Sequence, residues 1–153
     1  MARPREKSEF SEKMIDLRRV ARVVAGGRRF TFRATLVVGD RRGRVGIGVG
    51  KGTHTALAME KAIRAAKKNM LSVPITESGS IPFEVEAKYG AALVRMRPAK
   101  AGRGLVAGGA VRSVLELAGV MNTSAKIMSR TKNKITNARA AVEALKKLRQ
   151  FSK

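Results

Sequence analysis

The sequence predicts an α+β chain made of two small sheet-and-helix domains. Three observations carry that reading. Residues 29–38 alternate polar and apolar side chains at the period of a strand, residues 59–70 and 111–118 space apolar side chains at the period of a helix, and a break holding Pro74, Gly79 and Pro82 separates two such sets. With 44% hydrophobic residues among 153, the chain can build real cores, and the expected division is a basic arm at 1–9, a first domain at 10–73, a linker at 74–80 and a second domain at 81–150.

Met14 to Val24 ends in β-branched residues and reads as a strand running into Gly26-Gly27. In RRFTFRATLVV, Phe30, Phe32, Ala34, Leu36 and Val38 share one face and are expected in the core, while Arg29, Thr31, Arg33 and Thr35 point the other way. Residues 39–43 make a hairpin turn, and Arg44 to Lys51 returns as the partner strand. A helix follows, with Met59, Ala62, Ile63, Ala66 and Met70 as its buried stripe and Lys61, Arg64 and Lys68 on another face.

After the break, strands are expected at Ile81 to Lys88 and Ala91 to Arg97, joined at Tyr89-Gly90. A flexible basic loop, Lys100 to Gly104, leads to a helix after Gly108-Gly109 that buries Val111, Val114, Leu115 and Ala118 and closes at Gly119. A strand at Ser124 to Met128, a turn at Thr131 to Asn133 and a helix at Ala138 to Leu148 complete the chain.

The stretch RVGIGVGKGTHT invites comparison with nucleotide-binding loops. A Walker A loop needs glycine where Val45 stands and Ser or Thr where Gly52 stands, and the dinucleotide fingerprint meets Lys51, Thr53 and Thr55 where its third glycine belongs. Instead Gly46, Gly48, Gly50 and Gly52 fall on one face of a strand, leaving bare backbone for either a neighbouring helix or a sugar-phosphate strand.

Charge dominates the rest. The 33 Lys and Arg against 11 Asp and Glu give a formal +22, which calls for a polyanion, and nucleic acid offers one through counterion release. A basic membrane-surface protein is the competitor, and charge alone leaves DNA open beside RNA. The absence of cysteine excludes thiol nucleophiles, disulfides and cysteine zinc sites, and fits a reducing, cytoplasmic setting. The N-terminus lacks the apolar stretch of a signal peptide, and no apolar run approaches a membrane span.

Three stations join positive charge to glycine. The first holds Arg18, Arg19, Arg22, Gly26, Gly27, Arg28 and Arg29; the second Arg41, Arg42, Arg44 and Lys51, with His54 beyond; the third Lys100, Gly102, Arg103, Gly104, Gly108, Gly109 and Arg112. Glycine lets backbone N–H groups approach phosphate, and a helix start at Gly109 adds its dipole. Few aromatics argue against a base-stacking reader and for recognition of folded RNA by shape and backbone. Glu84 and Glu86 share a strand face without a catalytic partner and read as charge balance, while His54 has no Cys or His companion for a metal. No catalytic residue, metal or cofactor is expected.

GGRRFTFRATLVVGDRRGRVGIGVGKG, AMEKAIRAAKKNM and GRGLVAGGAVRSVLELAGVMN together resemble the small-subunit ribosomal protein five family of bacteria and their organelles, in order, over residues 10–148. The resemblance implies a non-enzymatic RNA-binding protein. Its first domain would be related to double-stranded-RNA-binding domains, a sheet on one helix. Its second would be a small sheet with two helices and a left-handed βαβ crossover from Ala91–Arg97 to Ser124–Met128. Implied partners are small-subunit ribosomal RNA at the loop Val20 to Arg28 and beside the spectinomycin site, ribosomal proteins four and eight, and messenger RNA near the channel by which it enters. An influence on decoding accuracy follows from the interface with protein four, to which Lys100 to Arg112 is assigned. Neither a membrane span nor an obligate homo-oligomer is implied, and the setting is a cytoplasmic small subunit with an organellar ribosome also open. Arg103 departs from the family's small hydroxyl residue, Lys134 from its proline, and the tail after the last helix is short. An RNA-acting enzyme relying on Glu84, Glu86 or His54, and a free RNA chaperone, are the competing classes.

Overall fold

The computed structural model describes residues 9–150; the basic arm expected at residues 1–9 therefore lies almost wholly outside the described residues. The order of elements is β1 (Ser11–Val24), β2 (Gly27–Gly39), β3 (Arg44–Gly52), α1 (Thr55–Lys68), β4 (Leu71–Ser72), β5 (Val85–Tyr89), β6 (Ala92–Pro98), β7 (Leu105–Val106), α2 (Gly109–Ala118), β8 (Thr123–Ile127) and α3 (Lys134–Gln150). They form two four-stranded sheets, β1-β2-β3-β4 and β5-β6-β8-β7, so the α+β architecture with three helices is as the sequence predicts.

β2 is the axis of the first sheet. Its half from Ala34 to Val38 is buried on both faces, because the two faces meet different neighbours. On one face, Leu36 pairs with Gly48 and Ala34 with Gly50, and α1 lies directly on this glycine row. A Cβ on Gly48 would overlap the carbonyl oxygen of Ala62, and one on Gly50 the carbonyl oxygen of Ala58. Helix backbone approaches strand backbone this closely only where neither carries a side chain larger than alanine. The stripe of α1 is accordingly Ala58, Ala62 and Ala66; of the residues expected there, Ala62 and Ala66 are buried, while Met59 and Ile63 are half-buried and Met70 lies past the helix end.

The other face belongs to the main core. Val37 and Val45 pack there with Leu71, Val73 and Ile81 and with Val111, Val114 and Leu117 of α2, so one cluster spans both sheets. The turn at residues 40–43 docks on the end of α2, where Arg41 N–H donates to Leu117 O at 3.0 Å and Gly43 N–H to Ala118 O at 2.8 Å. Gly119, at φ 90, closes the helix as expected, and its missing side chain is what admits the Arg41 carbonyl.

Several expected boundaries move. Leu71 pairs with Val45 as β4, an element too short to leave a periodic signal. The connection at 74–80 is itself folded, Thr76 N–H donating to Ser80 O at 2.9 Å and Gly79 N–H to Thr76 O at 2.9 Å. β5 begins at Val85 rather than Ile81, since Pro82 cannot donate to a ladder. α3 begins four residues earlier than expected, as Asn133 Oδ1 accepts from Ile135 N–H at 3.1 Å and caps a start that the sequence pattern assigns to a turn. The βαβ unit also has a different first strand: β6 runs antiparallel to β8, and the parallel pair is β7 with β8, joined through α2.

Candidate nucleic-acid interface

β1 and β2 pair along their whole length, from Ser11 with Gly39 to Val24 with Gly27, but β3 reaches only to Phe32. Beyond that point the two strands continue as an unsupported ribbon whose tip is Ala25-Gly26, with Gly27 at φ 127. Arg18 at its base and Arg22 and Arg29 beyond stand exposed on one face, and Arg19 and Arg28 on the other, so the first station is gathered on one arm but divided between its two faces.

The register sets these charges against each other. Arg22 faces Arg29 across the ribbon, and Arg18 faces Arg33 at its base, where β3 still supports the pair. Like charges in opposed positions destabilise a strand pair, and among the described residues only Arg18 has an acidic partner to offset this. The remaining ribbon face carries Ala21 opposite Phe30 and Arg19 opposite Phe32. Phe30 is not core: it is 46% exposed, with the Arg19 guanidinium 4.3 Å from its ring centroid, and Val23 nearby is 78% exposed. The alternation puts Phe30 on the face that is buried further along, but α1 stops short of it. Phe32, at the last rung that β3 supports, is half-buried.

The second station is divided. Arg41, Arg42 and Arg44 sit at the far end of β2, and 13 residues of strand place that end roughly 40 Å from the ribbon tip. Arg44 is engaged internally, its Nε 2.7 Å from Asp40 Oδ2 and its guanidinium 5.1 Å from the Phe10 ring centroid. Burial of Asp40 opposes its ionisation, but the hydrogen bond from Arg44 and those from the Arg42 and Arg44 N–H groups outweigh it, and the carboxyl lies below its ordinary value. Lys51, by contrast, is carried back to the ribbon end, opposite Arg33.

His54 precedes α1 with its side chain exposed and making no capping bond, while its carbonyl accepts from Ala58 N–H at 3.1 Å. Lys61, Arg64 and Lys68 stand on the outer face of α1, with Arg64 bound to Glu60 at 2.9 Å. Among the described residues no group of His, Asp or Glu is placed to hold a metal.

The third station surrounds the start of α2. Lys100, Gly102 and Arg103 are exposed, Gly102 and Gly104 have φ 88 and 80, and Gly104 N–H is tied to Asn122 Oδ1 at 3.2 Å. Gly108 and Gly109 begin the helix, and Arg112 stands exposed one turn in. Arg112 and Arg41 line one cavity of about 290 Å³ with Leu105, Glu116 and Met121, so the turn of the first sheet joins this station rather than the ribbon. Glu116, hydrogen-bonded to Lys13 at 3.1 Å, is held below the ordinary carboxyl value by that bond and by the charge of Lys13, with Arg41 and Arg112 adding to it.

Glu84 and Glu86 pair with Arg97 and Arg95 at 3.2 and 2.7 Å, the charge balance expected of them. No described helix is long and apolar enough to cross a membrane. The cation of this sheet face that sequence reasoning leaves out is Arg33. Its outward position is legible in the alternation, but its place between Arg18 and Lys51 depends on register.

Comparison with known proteins identifies the family. Residues 10–74 match the N-terminal domain of ribosomal protein S5, and residues 87–153 match its C-terminal domain. Small ribosomal subunit protein uS5 of Trichormus variabilis is 48% identical over 97% of this chain and 84% of its own length. That of Nostoc punctiforme is 49% identical over 97% and 84%, and uS5c of Cyanophora paradoxa is 46% identical over 99% and 90%. Matches of this extent place the chain in the ribosomal protein S5 family, a family of structural proteins rather than enzymes.

Proposed function

We propose that the protein is a structural constituent of the small ribosomal subunit that fixes folded ribosomal RNA with its first sheet and bridges neighbouring ribosomal proteins with its second. The observation that carries this reading is the ribbon and its base, where Arg22 opposes Arg29, both exposed, and Arg18 opposes the half-buried Arg33. Phosphate between such pairs turns a repulsion into charge-assisted hydrogen bonds, and guanidinium forks suit phosphate oxygens. Lys61, Arg64, Lys68, His54 and the turn residues Arg41 and Arg42 extend the same contact to other faces.

The third station, Lys100 to Arg112, suits a protein neighbour, since its glycines expose backbone at the start of α2 beside a part-apolar cavity. Ribosomal protein four is assigned there and protein eight elsewhere on the second unit, with messenger entering nearby and accuracy of decoding depending on the interface. In this reading the units are 10–73 and 81–150, joined by 74–80, and residues 1–9 add basic charge.

The test is sedimentation of a tagged copy from lysate after a salt wash that strips non-specific phosphate contacts. Retention in the small subunit is expected. Complete release into soluble or free-RNA fractions would instead favour a chaperone.

A further inference from the structure

The face of the first sheet opposite α1 can be followed row by row. It begins under α2, where Gly39 pairs with Val45, and passes through Lys13, Val37 and Ile47 to Asp16, Thr35 and Val49. The next row is Arg18, Arg33 and Lys51, three cations abreast on three adjacent strands. Beyond it the ribbon adds the Arg22 and Arg29 pair on the same face.

Neighbouring strands lie about 4.8 Å apart, so the row holds three positive groups within roughly 10 Å. Only Arg18 has a counter-charge, Asp16 at 3.0 Å. Arg33 and Lys51 make no ion pair with a described residue, and Arg33 Nε is enclosed without a hydrogen-bond acceptor. One row back, Thr35 Oγ1 is buried without a partner as well. A row of like charges costs stability, and an anion laid along the row removes that cost.

We propose that Arg18, Arg33 and Lys51 form a phosphate-binding row that seats one sugar-phosphate strand of RNA running across the sheet, at the edge of the second unit. This deepens the RNA-binding reading above and rests on it. The row differs from the ribbon tip in being backed by three strands and a core, so its geometry is fixed before RNA arrives and the seated strand needs no ordering of the protein.

Binding of the full chain to small-subunit ribosomal RNA, measured across a salt series, tests this. Arg33→Gln is expected to lower the slope of log affinity against log salt by about 0.7–0.9, and the triple R18Q/R33Q/K51Q by about 2–3, as each lost phosphate contact removes one released counterion. Arg33→Lys should keep the slope. The melting temperature of free Arg33→Gln should stay level or rise at low salt, because repulsion from Arg18 and Lys51 is relieved; a fall with an unchanged slope would make Arg33 structural and end the proposal. If Arg33→Gln keeps the wild-type slope while R22Q/R29Q lowers it, the row is wrong and the RNA-binding reading stands. If the wild-type chain itself binds without salt dependence, both fall. A variant with an unchanged slope that is lost from the assembled particle assigns the row to an acidic protein neighbour and overturns the proposal.

Discussion

The two halves of β2 have the same alternating sequence and opposite fates. From Ala34 to Val38 every residue is buried, with α1 on one face and the second unit on the other, whereas from Gly27 to Phe30 every residue is exposed and only β1 is beside them. What separates the halves is the reach of the neighbours, since β3 and α1 end level with Phe32 and Gly52. Strand pattern therefore fixes which way a side chain points, while coverage decides whether it is core or interface.

Glycine breaks the comparison most strongly. Gly48→Val should prevent folding or cost about 3 kcal/mol or more, because its Cβ alone overlaps the Ala62 carbonyl and neither backbone can move aside. Gly26→Ala at the ribbon tip, where nothing lies within 4 Å of the added carbon, should leave the denaturation midpoint near wild type. Next in size is truncation of the apolar residues on the shared face. Leu36→Ala should cost about 2–5 kcal/mol in chemical denaturation, against less than about 1 kcal/mol for the half-exposed Phe30→Ala. Equal losses at the two positions would show that the ribbon is packed in solution and would remove the comparison.

The smallest effect concerns the turn at the covered end. Asp40 is held below its ordinary value of 3.8, so its contribution to stability is present above that pH and fades as pH falls through its lowered value. The gap in stability between the wild type and Asp40→Asn should be constant near neutrality and narrow in acid. Glu116 shifts the same way, but 42% exposure of its side chain leaves it screened and its contribution smaller. A gap that widens in acid would contradict the sign.

Much of this is legible in the amino-acid order alone. Strand alternation, the glycine face of β3, the αL stop at Gly119 and the excess of basic charge are local properties, and local properties are what a sequence displays. The glycine face leaves helix and RNA open as its neighbour, and the fold puts α1 there. The errors at the surface and in the core share one cause. Phe30 as core, Met59 and Ile63 as the α1 stripe, and Arg41 to Lys51 as one station all depend on where a distant element stops or how closely it approaches. Arg33 escapes notice for the same reason, since only register makes it the middle of a row.

The docking of the turn at 40–43 on the end of α2 has a consequence in time. Synthesis proceeds from the N-terminus at about 5–20 residues per second, so the first sheet, complete at Ser72, exists for roughly 2–9 s before the carbonyls of Leu117 and Ala118 are available to Arg41 and Gly43. During that interval the half-built protein shows its surroundings a finished arginine ribbon and an unfinished apolar face, and only the arrival of α2 closes the second.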